Sequence, residues 1–273
     1  MSHSLSYSNE QLAAAAFTMQ STSFDNQYLH NGIINYKRER VRSHLKKYIT
    51  PGNLVLELNS GTGQDAIWLA QQGCKVHATD ISGGMQEILH QKLKAENLEK
   101  KISCELCSFT ELDHLALKGP YDIIFSNFAG LNCTTELHKV LKSFATLLKT
   151  NGTVTMVLLP RFCLWEVLLL FKGKFKTAIR RLLTPKETTA HIEGIFFKCR
   201  YYNPSYITGR LDEDFNLVAL EGLCTLVPPS YIENFDRKFP KLFLHLKQKE
   251  DKLKCKWPWR LIGDYYIITL QKK

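Results

Sequence analysis

The chain has 273 residues, 44% hydrophobic, 11% aromatic and 23% charged, with a formal net charge of +10 and a pI of about 9.1. At about 150 residues per domain this makes one large domain or a core with a sizeable insertion, and the apolar content excludes disorder throughout. The greasiest run, Val154 to Phe171, is broken by Pro160, Arg161 and Glu166, short of the roughly 18 uncharged apolar residues of a membrane span. Met1 to Gln20 has neither the basic nor the apolar region of a secretory signal, so a cytoplasmic protein is expected. Cysteines 74, 104, 107, 133, 163, 199, 224 and 255 fall mostly in apolar runs. The one C-x-x-C, Cys104 to Cys107, has no second pair, so reduced core thiols are expected and no metal site. The positive balance suits an anionic partner without establishing one.

Residues 1–50 read as helices and turns: Ser8 or Asn9 can cap a helix through Gln20, and Tyr36 to Ile49 is a basic amphipathic helix stopped by Pro51-Gly52. Strands and helices then alternate. Leu54 to Leu58 is a short apolar strand, Gln64 to Gln72 a helix ended by Gly73, Lys75 to Thr79 a second strand, and Gly84 to Asn97 a helix. Ile102 to Cys107 and Tyr121 to Ser126 are further strands, Thr134 to Lys149 a helix, and Thr153 to Leu159 a fifth strand. Such alternation requires crossover helices over a parallel sheet, a doubly wound α/β fold. Beyond Pro160 the rhythm breaks. Residues 161–212 are read as an inserted cap, with 213–273 returning to the core through strands near Leu217 to Val227 and Tyr265 to Leu270.

The informative segment is Glu57-Leu-Asn59-Ser-Gly61-Thr-Gly63-Gln-Asp-Ala66, where a buried strand runs through a glycine-rich turn into a helix. Small residues let backbone approach a ligand, and the free N–H groups of the helix start point at it. The second strand ends at Asp80, whose carboxylate can accept both hydroxyls of a ribose. A nucleoside-containing cofactor follows. Gly61, Gly63 and Ala66 also satisfy G-x-G-x-x-A, which leaves an NAD(P)-dependent oxidoreductase as an alternative. Against it stands Glu57, four residues before Gly61, whose charge repels a pyrophosphate and suits an ammonium group.

With Val76-His-Ala-Thr-Asp80-Ile81-Ser82, Phe109 and Tyr121 to Asn127 in register behind that turn, the sequence resembles the class I S-adenosylmethionine-dependent methyltransferases, particularly the small-molecule branch related to ubiquinone and menaquinone methyltransferases. The resemblance covers residues 24–160 well and the final strands loosely. It implies a Rossmann-like, mostly parallel seven-stranded sheet and S-adenosylmethionine as cofactor; the cap resembles no family, and the chain is expected to divide into a lead-in covering the cofactor (1–50), the cofactor-binding core (51–160), the cap (161–212) and the closing strands and helix (213–273). Residue by residue the resemblance implies Asn59, Gly61 and Gly63 along the methionine part, Glu57 at its ammonium, and Asp80 on the ribose. Ile81 and Met85 would pack on the adenine, with Ser108 and Phe109 at its edge, Asn127 near the sulfonium and Tyr28 as a cover. Asn59 stands where the family usually has glycine, and asparagine is the side chain that best tolerates positive φ.

Methyl transfer is an in-line displacement that needs alignment and, for a protonated nucleophile, a general base. His191 is the candidate base, with His30 second. The aromatic residues of the cap, among them Phe162, Trp165, Phe196, Phe197, Tyr201, Tyr202 and Tyr206, are expected to line a pocket for a small apolar or aromatic acceptor. Arg161, Lys172, Lys174, Lys176, Arg180 and Arg181 leave open contact with an acidic substrate, a carrier protein or an anionic membrane surface. An RNA-directed methyltransferase is a further alternative, suggested by charge and by Phe196 to Tyr202. The position after the fourth strand reads Asn127-Phe-Ala-Gly130 in place of the Asn/Asp-Pro-Pro-Tyr of base-amino methylation, which disfavours it.

Overall fold

The computed structural model describes residues 7–170, Arg181 and 187–273. Helix α1 (Asn9–Leu29) begins at Ser8, whose hydroxyl accepts from the Gln11 N–H while the Gln11 side chain accepts from the Ser8 N–H, and it runs well past the Gln20 expected from sequence. Helix α2 (Gly32–Leu45) begins at Asn31, whose side chain accepts from the N–H groups of Ile33 and Ile34. Strands and helices then alternate as β1 (Leu54–Leu58), α3 (Gln64–Gln71), β2 (Lys75–Asp80), α4 (Gly83–Glu96), β3 (Ile102–Leu106), β4 (Tyr121–Ser126), α5 (Leu137–Leu147) and β5 (Leu148–Leu158). After these come α6 (Leu164–Leu170), a hairpin of β6 (Glu187–Ile192) and β7 (Ile195–Arg200), α7 (Pro204–Leu211), β8 (Phe215–Leu223), α8 (Phe235–Lys238), α9 (Pro240–Leu253) and β9 (Tyr265–Lys272).

Seven strands form one sheet in the order β3-β2-β1-β4-β5-β9-β8, parallel from β3 to β5, with β9 antiparallel to both its neighbours. Chain order reverses between β1 and β4, so a crevice opens outside their carboxyl ends, the position at which such sheets bind ligands. Alternation along the strands fills two apolar layers. Leu56 and Leu58 of β1 join Val140, Leu141 and Phe144 of α5 on one face, and Val55 joins Leu69 of α3 and Leu89 and Leu93 of α4 on the other. Each such buried side chain contributes about 1.5–3 kcal/mol.

Buried polar contacts fix α2 against the closing strands. His44 bridges Glu221 (2.8 Å) and Thr269 (2.7 Å), and Arg40 reaches both Glu221 (3.3 Å) and Glu250 (3.4 Å). The Glu250 carboxylate, fully buried, accepts from four successive backbone N–H groups, Cys224 to Val227, each at 2.9 Å. Although burial works against ionisation of Glu221, the groups of His44, Lys47 and Lys254 hold its carboxyl well below the usual range. The turn of α2 that precedes Arg40 is therefore rigidly placed, which matters because it carries Lys37 and Arg38.

The segment expected to cap a substrate pocket packs differently. Glu193 and Gly194, at φ of 48° and 80°, make the two-residue turn of the β6–β7 hairpin, which lies on α1 through Phe197, Ala13 and Ala16. Tyr202 is buried in the α5 layer with Tyr206 packed against it, and Tyr201 is buried too, whereas Phe162, Leu168 and Phe196 face outward. Arg181, counted in the sequence among basic residues open to an anionic partner, is instead buried between Glu166 (2.9 Å) and Asp264 (2.6 Å). Lys172, Lys174, Lys176, Arg180 and Phe171 lie outside the described residues. All eight cysteines are free thiols. Among the described residues no helix is long and apolar enough to cross a membrane.

Candidate active site

A cleft of about 390 Å³ opens at the carboxyl ends of β1, β2 and β4, roofed by α1 and walled by α2. Its floor is the turn after β1. Asn59 adopts φ 48°, the left-handed conformation that its side chain tolerates. Its amide donates to the Asn127 carbonyl (2.9 Å) and its carbonyl accepts from the Ser126 hydroxyl (2.6 Å), so the residue that replaces the family's glycine ties the first turn to the loop after β4. Gly130 must stay a glycine for that contact, since a Cβ there would lie 2.3 Å from the Asn59 side chain. Gly61 faces the cleft, whereas Gly63 does not line it. Gly63 instead lets the turn pack on α4, where a Cβ would meet Leu89 at 2.1 Å.

Asp80 closes β2. One of its oxygens accepts from the Gly61 N–H and the other from the Ser82 N–H, both at 2.8 Å. Burial raises its carboxyl pKa, against the opposing pull of these backbone donors. The remaining lone pairs are available to a ligand's hydroxyls. Ile81, Met85 and Phe109 form an apolar wall beside it. Ser108 sits behind this wall, hydrogen-bonded to Thr110 (2.7 Å), and is not part of the lining.

At the end of β1, Glu57 is 3% exposed and its carboxylate receives no hydrogen bond among the described residues. Burial, reinforced by Asp65 and Asp80, pushes its carboxyl well above the usual range, with Arg42 and Arg38 pulling the other way. Arg38 enters the same cleft from α2. Its Nε is buried without a hydrogen-bond partner, 3.8 Å from Asp65, and its guanidinium lies 5.2 Å from the Phe128 ring centroid. A buried carboxylate oxygen with no hydrogen bond, and a guanidinium whose Nε has none and whose ion pair with Asp65 is long, match the ammonium and carboxylate of an amino-acid zwitterion. Leaving each unmade costs about 1–3 kcal/mol, and more for charged groups.

Asn127 supports this arrangement from β4, donating to Asp65 (2.7 Å) and accepting from the Phe128 N–H (2.8 Å). Phe128 and Ala129 both take positive φ, 49° and 61°, a strained pair that turns the Phe128 ring into the cleft. Tyr28 lines the roof, edge-on to Phe24 at 4.8 Å. Asp25 holds the same helix down by accepting from Thr62 (2.8 Å) and Lys92 (2.5 Å).

Thus Tyr28, Glu57, Asn59, Gly61, Asp80, Ile81, Met85, Phe109 and Asn127 converge on one cleft, and Gly63 and Ser108 stand behind its walls. His191 is not brought there. It is exposed on the hairpin, stacked on Phe196 at 4.3 Å, because alternation along β6 sends its neighbour Ile192 to the cleft in its place. His30, at the end of α1, is exposed as well. Of the cap's aromatic residues none among the described residues lines the cleft. Residues that sequence reasoning passed over line the cleft as well: Lys37, Arg38, Phe128, Ser230 and Tyr265. The available signal was Lys37-Arg38 near the start of a helix read as basic and amphipathic.

Residues 55–152 match the methyltransferase domain family. Among solved structures the chain is similar to 1,6-didemethyltoxoflavin-N1-methyltransferase from Burkholderia thailandensis, crystallised with its acceptor and S-adenosylhomocysteine, at 13% identity and a TM-score of 0.55, covering 100% of this chain and 93% of that one. It is also similar to geranyl diphosphate C-methyltransferase from Streptomyces coelicolor, at 12% identity and a TM-score of 0.55, over 86% of this chain and 79% of that one. The [4+2]-cyclase SpnF shares the fold at 13% identity and a TM-score of 0.54, over 85% and 80% of the two chains. Fold alone therefore does not decide the reaction, and the site must. Residues 55–152 thus match a methyltransferase domain, and the strand order and the cleft at the switch point give the chain the fold of the class I, S-adenosylmethionine-dependent methyltransferases.

Proposed function

We propose that this methyltransferase uses S-adenosylmethionine to methylate a small, apolar or aromatic metabolite held between α1, α2 and the loop after β4. The observation that carries the cofactor reading is the pair of buried polar atoms without a hydrogen bond, Glu57 Oε2 and Arg38 Nε, in the cleft where Asp80 offers its carboxylate. Glu57 would hold the ammonium, Arg38 the carboxylate, Asp80 the ribose hydroxyls, and Ile81, Met85 and Phe109 the adenine. When bound, the cofactor supplies a methyl group on a sulfonium, an electrophile with a neutral leaving group. Glu57, Asp65 and Asp80 set a negative field that favours such a cation.

The chain's own work is to align and to exclude water, worth about 7–11 kcal/mol in favourable cases. Helix α1 does both: Ala13, Ala14, Phe17, Phe24 and Tyr28 line the roof, and Asn9, Glu10 and Asp25 tether it to the hairpin, Thr134 and the glycine turn. With Phe128, Ile34, Ile192 and Tyr265 completing the walls, the lining suits a flat apolar body. A dinucleotide suits the site poorly, since its pyrophosphate would meet Glu57.

The test is calorimetric titration with S-adenosylhomocysteine and, separately, NAD. Micromolar binding of the first and none of the second is expected, followed by transfer of labelled methyl to members of a panel of aromatic and isoprenoid small molecules. Transfer only to RNA or protein would refute the small-molecule reading.

A further inference from the structure

Lys37 is the feature of the cleft that the cofactor does not use. It is 2% exposed, lines the cleft, and forms no ion pair with a described residue. Its Nζ donates to the Ser230 hydroxyl (3.1 Å) and lies 4.5 Å from the Tyr265 ring centroid and 5.8 Å from that of Phe128. The nearby carboxylate of Asp264 is engaged by Arg181 (2.6 Å). A buried ammonium held by the hydroxyls of Ser230 and Tyr265 and by aromatic faces, with no carboxylate ion-paired to it among the described residues, is costly, and lysine is rarely buried without an anionic partner. Arg38, beside it on α2, faces Asp65 and Glu57 at the glycine turn, whereas Lys37 faces the loop after β8 and the start of β9. That places Lys37 in the part of the cleft away from the glycine turn.

We propose that Lys37, with Ser230, recognises a carboxylate on the acceptor, so that the substrate is an apolar or aromatic monocarboxylic acid whose body lies against Phe128 and Tyr265. This rests on the methyltransferase reading above and narrows its substrate class. A single ammonium matches one negative charge, and a diphosphate would leave the second uncompensated. Burial works to lower the pKa of Lys37, and Tyr265, Cys224 and Asp264 oppose it and raise it. Lys37 is thus a specificity-determining residue that orients the acceptor relative to the methyl group.

The experiment uses the full chain saturated with S-adenosylhomocysteine, titrated with hexanoate, benzoate and trans-cinnamate and with the corresponding amides. At least one carboxylate is expected to bind tenfold or more tightly than its amide. Lys37→Met should abolish that preference, weakening the carboxylate at least tenfold while changing the amide and S-adenosylhomocysteine less than twofold, and Lys37→Arg should keep it. Carboxylates that bind no better than their amides, or that do not bind at all, overturn the proposal. So does a Lys37→Met variant that loses S-adenosylhomocysteine as strongly as carboxylate, which would give Lys37 to the cofactor. Should Lys37→Met fail to fold, Ser230→Ala must weaken the carboxylate selectively by threefold or more, and an unchanged preference is again a refutation. A wild type that binds no S-adenosylhomocysteine removes the cofactor reading itself, and this proposal with it.

Discussion

Replacing Glu57 by glutamine should stabilise the empty protein and weaken the loaded one. In the empty cleft its carboxylate is 3% exposed and receives no hydrogen bond from a described residue, a cost of about 1–3 kcal/mol or more for a charged group. Glutamine removes the charge at equal size, so the unliganded variant should melt higher, by roughly 2–4 °C per kcal/mol recovered. The pH dependence has a definite sign. Because the folded-state pKa of Glu57 lies above the ordinary value of 4.5, the folded protein holds its proton where the unfolded chain has lost it. Wild-type stability therefore falls as pH rises from about 4.5 towards the folded value, by up to about 1.4 kcal/mol per unit. The glutamine variant lacks this decline, and the gap between the two melting curves should widen with pH and then level off. Binding moves the other way. Loss of a charge-assisted hydrogen bond to the ligand's ammonium costs about 1.5–3 kcal/mol, or roughly 10- to 150-fold in Kd. Differential scanning fluorimetry from pH 5 to 8 and titration with S-adenosylhomocysteine read the two effects separately. A variant that melts no higher at any pH and binds S-adenosylhomocysteine as tightly as wild type would show that the carboxylate is a structural group.

Asp80→Ala should raise the Kd for S-adenosylhomocysteine at least a hundredfold. It should also cost about 1–2 kcal/mol of stability in denaturant titration, because the carboxylate already accepts from the Gly61 and Ser82 N–H groups. At Asn59, alanine should destabilise more than glycine by about 1 kcal/mol. Both lose the bonds to Ser126 and Asn127, but only alanine keeps a Cβ at φ 48°; equal urea midpoints would contradict this. Glu250→Gln should cost about 3–5 kcal/mol and lower the melting temperature by 6 °C or more, since four backbone donors, Tyr36 and Arg40 converge on that carboxylate. His191→Ala should leave S-adenosylhomocysteine affinity, and the rate of methyl transfer to any acceptor that the wild type uses, within twofold.

What the sequence discloses and what it hides divide along a physical line. Glu57 and Asp80 were legible because parallel strands end where ligands bind, and a strand end followed by a glycine-rich turn can be located by spacing alone. The sheet was legible for the same reason: buried strands and amphipathic crossover helices leave different periods. The acceptor wall was not. Phe162, Phe197, Tyr201 and Tyr202 carry the composition of a pocket, but three of the four are buried against other elements and the fourth faces outward. Conversely, Lys37 and Arg38 carry the composition of a solvated helix face, and only the docking of α2 by Arg40 and His44 turns them inward. Burial of a charge is a tertiary event with no local signature. His191 shows the limit in its smallest form, since a shift of one residue in strand phase separates a side chain in the cleft from one in water.

The asparagine after β1 has a mechanical consequence. Its two hydrogen bonds, with that of Asn127 to Asp65, join the turn after β1 to the loop after β4, which carries the ring beside Lys37. Any displacement of that ring by an arriving acceptor is transmitted to the turn beneath the cofactor, and thermodynamic linkage makes the influence mutual and equal in size. Asn59→Gly, which removes two of these three bonds, should leave each ligand bound and weaken the influence of one on the other.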